Sequence, residues 1–222
     1  MKKITVYIFD TDTISECTEV ELQSLKSNIA PYYLEKYNRC IKTKNIRTGL
    51  QELAAGFLLS RYLGVSSDSQ LFFGEHGKPE LISGDKFFNL SHSGHFVVLA
   101  VADKGTGPVG IDIERTDRMS LSVAKKMFSE EVAESLRKEE ESAAGFLFAK
   151  HWTTCEARLK LSGEGMQGYK KIKCDYSDND SDVTHILLDN EKYIMAIAIK
   201  GDISACEITK KTVKYYLLEG KL

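Results

Sequence analysis

At 222 residues the chain spans one large or two small domains, at about 150 residues each. Its 42% hydrophobic and 28% charged residues exclude a disordered chain. A net charge of −2, from 30 basic and 32 acidic residues, supplies no global field for nucleic acid or an anionic membrane surface.

The N-terminal MKKITVYIFD meets Asp10 too early for a signal peptide, and Ile4–Phe9 alternates as a strand does. Five cysteines, Cys17, Cys40, Cys155, Cys174 and Cys206, are odd in number and form no CxxC or CxxH pair. That pattern predicts free, mostly buried thiols in a reducing, cytoplasmic compartment. Lys36, Arg39, Lys42, Lys44 and Arg47 follow one another without an acid among them, which reads as an anion site or as a solvated helix and loop. From Arg47 to Leu63, the spacing of Leu50, Leu53, Ala54, Phe57 and Leu58 predicts an amphipathic helix stopped by Gly64.

Gly77-Lys78-Pro79 reads as a turn whose lysine can meet a phosphate, although no P-loop pattern is present. Asn89-Leu90-Ser91-His92-Ser93 leads into the apolar run FVVLAVA. It is expected as a strand-start loop that offers hydroxyls, backbone N–H groups and an imidazole to an anion, or that satisfies its own turn. The run itself is expected to be a strand buried on both faces, too short to cross a membrane. Val109–Glu114 is a further short strand. Residues two apart share a strand face, so Asp112 and Glu114 lie together while Ile111 and Ile113 face the core. Two such carboxylates either hold a hard cation such as Mg²⁺ or line a wet strand face.

Ser129 before Glu130 and Glu131 predicts a helix N-cap, and Ser142–Leu161 a helix ended by Gly163. On that helix Trp152, Glu156 and Lys160 stand at i, i+4 and i+8, hence on one face. The acidic run DYSDNDSD at 175–182 reads as a solvated loop, and Tyr193–Ile199 (YIMAIAI) is a buried strand that echoes FVVLAVA. Helices and small sheets in this order predict an α+β fold.

GKP, FNLSHSG, VGIDIE and WxxxEAxxK in this order closely resemble a 4′-phosphopantetheinyl transferase of the larger, monomeric surfactin-synthetase-activator type, associated with natural-product biosynthesis. The likeness is clearest from Arg47 to about Gly165. It implies two similar α+β lobes related by a pseudo-twofold, here 1–105 and 106–222, with coenzyme A between them. It implies transfer of phosphopantetheine to a serine of an acyl or peptidyl carrier protein, releasing adenosine 3′,5′-bisphosphate. Carried over by motif, Asp112, Glu114 and Glu156 are the Mg²⁺ acids, and Lys160 stands beside the pyrophosphate. Ser91 and His92 touch the coenzyme's phosphates, and Gly77, Lys78 and Pro79 lie near its adenosine end. Arg47 meets the 3′-phosphate with Lys36 beside it. Catalysis is expected from Glu156 as base, Lys160 and Asp112.

Cys155 replaces the lysine usual before the motif glutamate and removes a charge expected near the pyrophosphate. Lys170 or Lys171 in the next loop is the candidate to replace that charge. The alternative reading is a homologue that binds coenzyme A or a carrier without transferring. A third is another Mg²⁺-dependent phosphoryl enzyme. The region around Ser120–Phe128, with apolar Met127 and Phe128 and a basic rim of Lys125 and Lys126, reads as the carrier-docking face or as an ordinary amphipathic helix.

Overall fold

The computed structural model describes residues 2–172 and 174–213. Strand β1 (Lys2–Asp10) alternates as its sequence predicts. Ile4, Val6 and Ile8 enter one apolar layer and Phe9 another. Strand β5 (Phe96–Asp103) runs antiparallel to it, with Val6 opposite Ala100. Val97, Leu99 and Val101 join the Phe9 layer, and Val98, Ala100 and Ala102 the other. That two-sided burial is why β5 is apolar without alternation.

The first sheet has the order β4-β5-β1-β9, with β4 at Lys86–Ser93 and β9 at Cys206–Val213. A second sheet has the order β6-β8-β7, from Val109–Arg115, Tyr193–Ile199 and Val183–Leu188. The two apolar runs that echo each other, β5 and β8, are interior strands of their sheets. A short hairpin, β2 (Leu71–Phe73) with β3 (Pro79–Leu81), carries the GKP turn.

The sheets meet face to face over Ile4, Val6, Ile8, Val98, Ile111, Ile113, Met195 and Ile197. Each fully buried aliphatic side chain contributes about 1.5–3 kcal/mol over exposure, against about 1 kcal/mol for a net hydrogen bond, so this layer dominates what joins the sheets. Outside the first sheet lie α1 (Glu19–Ser27), α2 (Pro31–Lys42) and α3 (Ile46–Leu63), packed through Leu25, Tyr33, Leu53, Ala54 and Leu58. Outside the second lie α4 (Leu121–Met127), α5 (Glu130–Lys138) and α6 (Glu141–Ser162). Ala157 of α6 rests on Ala196 and Ala198 of β8, small residues that let the helix come close.

The local readings of helices hold at their ends. Ser129 accepts from the Val132 N–H, and α6 is followed by Gly163 at φ 75°. Three expectations change with tertiary contact. Asn89–Ser93 belongs to β4 and is not a loop, since its backbone pairs with β5 through Ser93 opposite Phe96. The acidic run is not simply solvated: Arg158, buried on α6, pairs with Asp182 at 2.6 Å and Asp180 at 3.1 Å. Met127 and Phe128 are buried in the α4–α6 core, so the apolar half of the expected docking face is not at the surface.

Strand β9, from beyond the expected division at 105/106, runs parallel to β1 with Ile208 opposite Ile4. It covers the edge of β1 that would otherwise expose unpaired N–H and C=O groups. A single cut of the chain therefore does not separate the two sheets.

Candidate active site

From His151 to Lys160 every residue of α6 is buried except Trp152, Glu156 and Lys160, which are half-buried. The i, i+4, i+8 stripe is thus the one strip of this segment that reaches an opening. Trp152 stacks on Phe148, ring centroids 6.2 Å apart. Strand β6 lies directly against the helix because residue 110 is glycine: a Cβ there would stand 2.0 Å from the Ala157 carbonyl oxygen. That close approach brings Asp112 and Glu114, on the same strand face, beside Glu156.

Lys160 Nζ donates to Asp112 Oδ1 at 2.6 Å and to Ser91 Oγ at 2.8 Å. Ser91 Oγ donates to the same Asp112 oxygen at 2.7 Å. Asp112 is only 4% exposed, and its second oxygen, Oδ2, is buried without a hydrogen-bond partner. Leaving such an oxygen unpaired costs about 1–3 kcal/mol, and more for a charged group. Burial, then the nearby Asp112 charge, raises the pKa of Glu156 to about 7, while Lys160 opposes the rise. Burial and Asp112 also push Glu114 up, against a hydrogen bond from Ser93 Oγ at 3.0 Å. The three carboxyls and one ammonium are thus one electrostatic unit.

Strand β4 holds this unit from the other sheet. Asn89, Ser91 and Ser93 share one strand face. Asn89 Oδ1 accepts from the Ile111 N–H at 3.0 Å, and Ser91 Oγ accepts from the Ile113 N–H at 3.4 Å. These side chains take the place of a neighbouring strand along β6, and Ser93 continues the row to Glu114. The motif resemblance gives Asn89 and Ser93 no role of their own. Their i, i+2, i+4 spacing was the available signal once the segment is a strand.

Glu114, Ser93 and exposed His92 open into a cleft of about 520 Å³ that is also lined by Arg47, Thr48, Arg115 and Arg118. Arg47 comes from the first turn of α3, whose N-terminus has no side-chain cap. Arg115 is engaged by Asp117. The α3 wall of the cleft therefore carries a cation, Arg47, and Glu114 brings one member of the carboxylate cluster to it. Gln51, another residue the motifs did not flag, ties α3 to the Gly94 carbonyl at 2.8 Å.

The remaining expected residues stand apart. Lys36 pairs with Glu52 at 2.9 Å and does not line the cleft. Gly77, at φ 77°, turns the hairpin before Pro79, and Lys78 reaches the Leu161 carbonyl at the end of α6, 3.5 Å away. Burial pushes the Lys78 pKa down. Cys155 faces the apolar core and not the cleft; its hydrogen bond with Cys174, then burial, pushes its thiol up, so it is neutral at pH 7. Lys150 sits 4.1 Å above the Tyr176 ring, and Lys170 is exposed beside Tyr169. The side chain of Lys171 lies outside those described.

The donor set suits a hard divalent cation: three carboxyls, with one buried carboxylate oxygen lacking a partner. As the side chains stand, no three His, Cys, Asp or Glu side chains among the described residues are gathered to hold a metal ion. Asp112 Oδ1 is held by Lys160 instead. Among the described residues, no helix is long and apolar enough to cross a membrane.

Residues 108–203 match the profile of the 4′-phosphopantetheinyl transferase superfamily. This segment holds β6, α6 and β8. The chain is 30% identical over 173 residues to the 4′-phosphopantetheinyl transferase gsp of Aneurinibacillus migulanus, covering 76% of this chain and 69% of that protein. It is 33% identical over 153 residues to the transferase Sfp of Bacillus subtilis (strain 168), covering 67% and 66%. To the transferase HetI of Nostoc sp. it is 32% identical over 169 residues, covering 70% and 68%.

Proposed function

The chain belongs to the 4′-phosphopantetheinyl transferase superfamily, and from that premise we infer that it moves phosphopantetheine from coenzyme A onto a serine of a carrier protein. The single observation that carries the assignment of roles is the buried Asp112, bonded to Lys160 and Ser91, beside Glu156 and Glu114.

Asp112, Glu114 and Glu156 are the residues that would hold Mg²⁺. When bound, the ion supplies charge neutralisation for the pyrophosphate oxygens. Lys160 adds a point charge on the leaving side. Arg47, on the opposite wall of the cleft, binds the coenzyme's 3′-phosphate, with His92 beside its path. The serine hydroxyl is a weak nucleophile at neutral pH and must lose its proton. Glu156, whose carboxyl burial and Asp112 push up to about 7, is the acceptor in this proposal, a contribution of about 10²–10⁴-fold. The serine oxygen then bonds to phosphorus, and the bond to adenosine 3′,5′-bisphosphate breaks. The five free cysteines agree with a reducing, cytoplasmic setting. Action as a monomer is part of the same proposal.

The test is to mix the protein with Mg²⁺, coenzyme A and an apo carrier protein and weigh the carrier intact. A phosphopantetheine adduct is expected. Coenzyme binding without an adduct would instead establish a binding homologue, and the absence of both adduct and binding would refute both readings and leave another Mg²⁺-dependent phosphoryl enzyme.

A further inference from the structure

The carboxylate cluster already contains a cation of its own. Lys160 Nζ stands 2.6 Å from Asp112 Oδ1 and is braced by Ser91 Oγ at 2.8 Å. Those contacts occupy one Asp112 oxygen and leave the other, buried, without a partner. Glu114 and Glu156 both feel the same ammonium, which opposes the rise in their pKa values. Without it, three mutually repelling carboxyls would face one another in a half-buried strip. The lysine stem is long and flexible and ends in a compact charge, so it can swing without moving α6.

We propose that Lys160 is the resident counter-cation of the cluster: it holds Asp112 when no divalent ion is bound and swings off Asp112 when one binds. The inference rests on the metal reading above and adds a role for Lys160 before any phosphate arrives. It also accounts for the side-chain arrangement, in which no three candidate ligands among the described residues are gathered for an ion. The exchange links the two cofactors. A phosphate group that draws the ammonium towards itself frees Asp112 Oδ1 for the ion, and by reciprocity the ion frees the ammonium for phosphate.

The test uses Mn²⁺ alone as the probe. In wild-type crystals soaked with Mn²⁺, an anomalous peak at Asp112 is expected together with Lys160 Nζ more than about 4 Å from Oδ1, beyond ion-pair range. In solution, free-Mn²⁺ electron paramagnetic resonance should show Lys160→Met binding the ion at least about tenfold more tightly than wild type without coenzyme. The metal-free variant should unfold at a lower temperature and recover on adding Mn²⁺. A peak at Asp112 with the ammonium still in hydrogen-bond range would overturn the proposal and leave the metal reading intact. So would Mn²⁺ binding no tighter in the variant. Absence of manganese from Asp112 even with coenzyme A present would overturn both. Should the variant fail to fold, the wild-type crystal decides alone, and it also separates displacement from simple charge repulsion.

Discussion

Helices α3 and α6 do the same architectural job with opposite chemistry. Each lies on the outer face of a sheet, and each is followed by a glycine in the left-handed region, Gly64 and Gly163. The buried set of α3 is apolar apart from Gln51, and the charge it brings to the cleft, Arg47, stands exposed at its first turn. The buried set of α6 includes His151, Thr153, Thr154 and Arg158. Each of the four has a named partner: the Tyr176 N–H for His151, the Ala149 carbonyl for Thr153, His185 for Thr154, and Asp180 and Asp182 for Arg158. The first half is an apolar scaffold that sets one arginine at the cleft. The second half holds charge inside, which demands a partner for every group and leaves little room for repacking.

The largest expected effect separates chemistry from binding. Glu156→Gln should lower single-turnover transfer by about 10²–10⁴-fold, while calorimetry shows coenzyme affinity changing far less. Transfer at the wild-type rate would remove Glu156 as the base. Next comes packing. Gly110→Ala sets a Cβ against backbone, 2.0 Å from the Ala157 oxygen, and should cost about 3 kcal/mol in denaturant unfolding. Gly56→Ala on α3 meets the Cβ atoms of Tyr33 and Ile29 at 2.9 and 3.1 Å, so the α2 backbone must move by a few tenths of an ångström, offset in part by a gain in helix propensity. Its net cost should be smaller, about 1–2 kcal/mol. Equal costs would erase the contrast between a helix that can adjust and one that cannot.

Arg47→Ala should weaken coenzyme A about tenfold, near 1.4 kcal/mol, and its 3′-dephospho form hardly at all. Equal losses would detach Arg47 from the 3′-phosphate.

The smallest effect is a pH slope in the metal-free protein. Glu156 titrates near 7 when folded against an ordinary 4.5. Between those values the folded chain keeps a proton that the unfolded chain has released. Its contribution to stability is therefore full below about 4.5, declines as pH rises, and is gone above about 7. The melting temperature of Glu156→Gln should gain on wild type across that window, and parallel curves would show that burial of Glu156 is not felt.

Within this frame, local patterns carried most of the element assignments. The alternation of Ile4–Phe9, the apolar runs that became β5 and β8, and the glycine after Leu63 each depend on neighbours a few residues away. The pairing of Asp112 with Glu114 was also legible, because a strand's two-residue period places them on one face whatever packs against it. So was the Trp152–Glu156–Lys160 strip, from the helical period alone. Four features were not legible. Ser91 and Asn89 bond β6 across more than 20 residues of chain. Arg158 organises an acidic segment that composition reads as solvent-loving. Met127 and Phe128 are covered by a helix that follows them. β9 crosses to the first sheet. Periodicity reports which face of an element is apolar, a property of the local backbone. Which polar side chain finds a buried partner depends on what the rest of the chain brings alongside, and only the tertiary structure decides that.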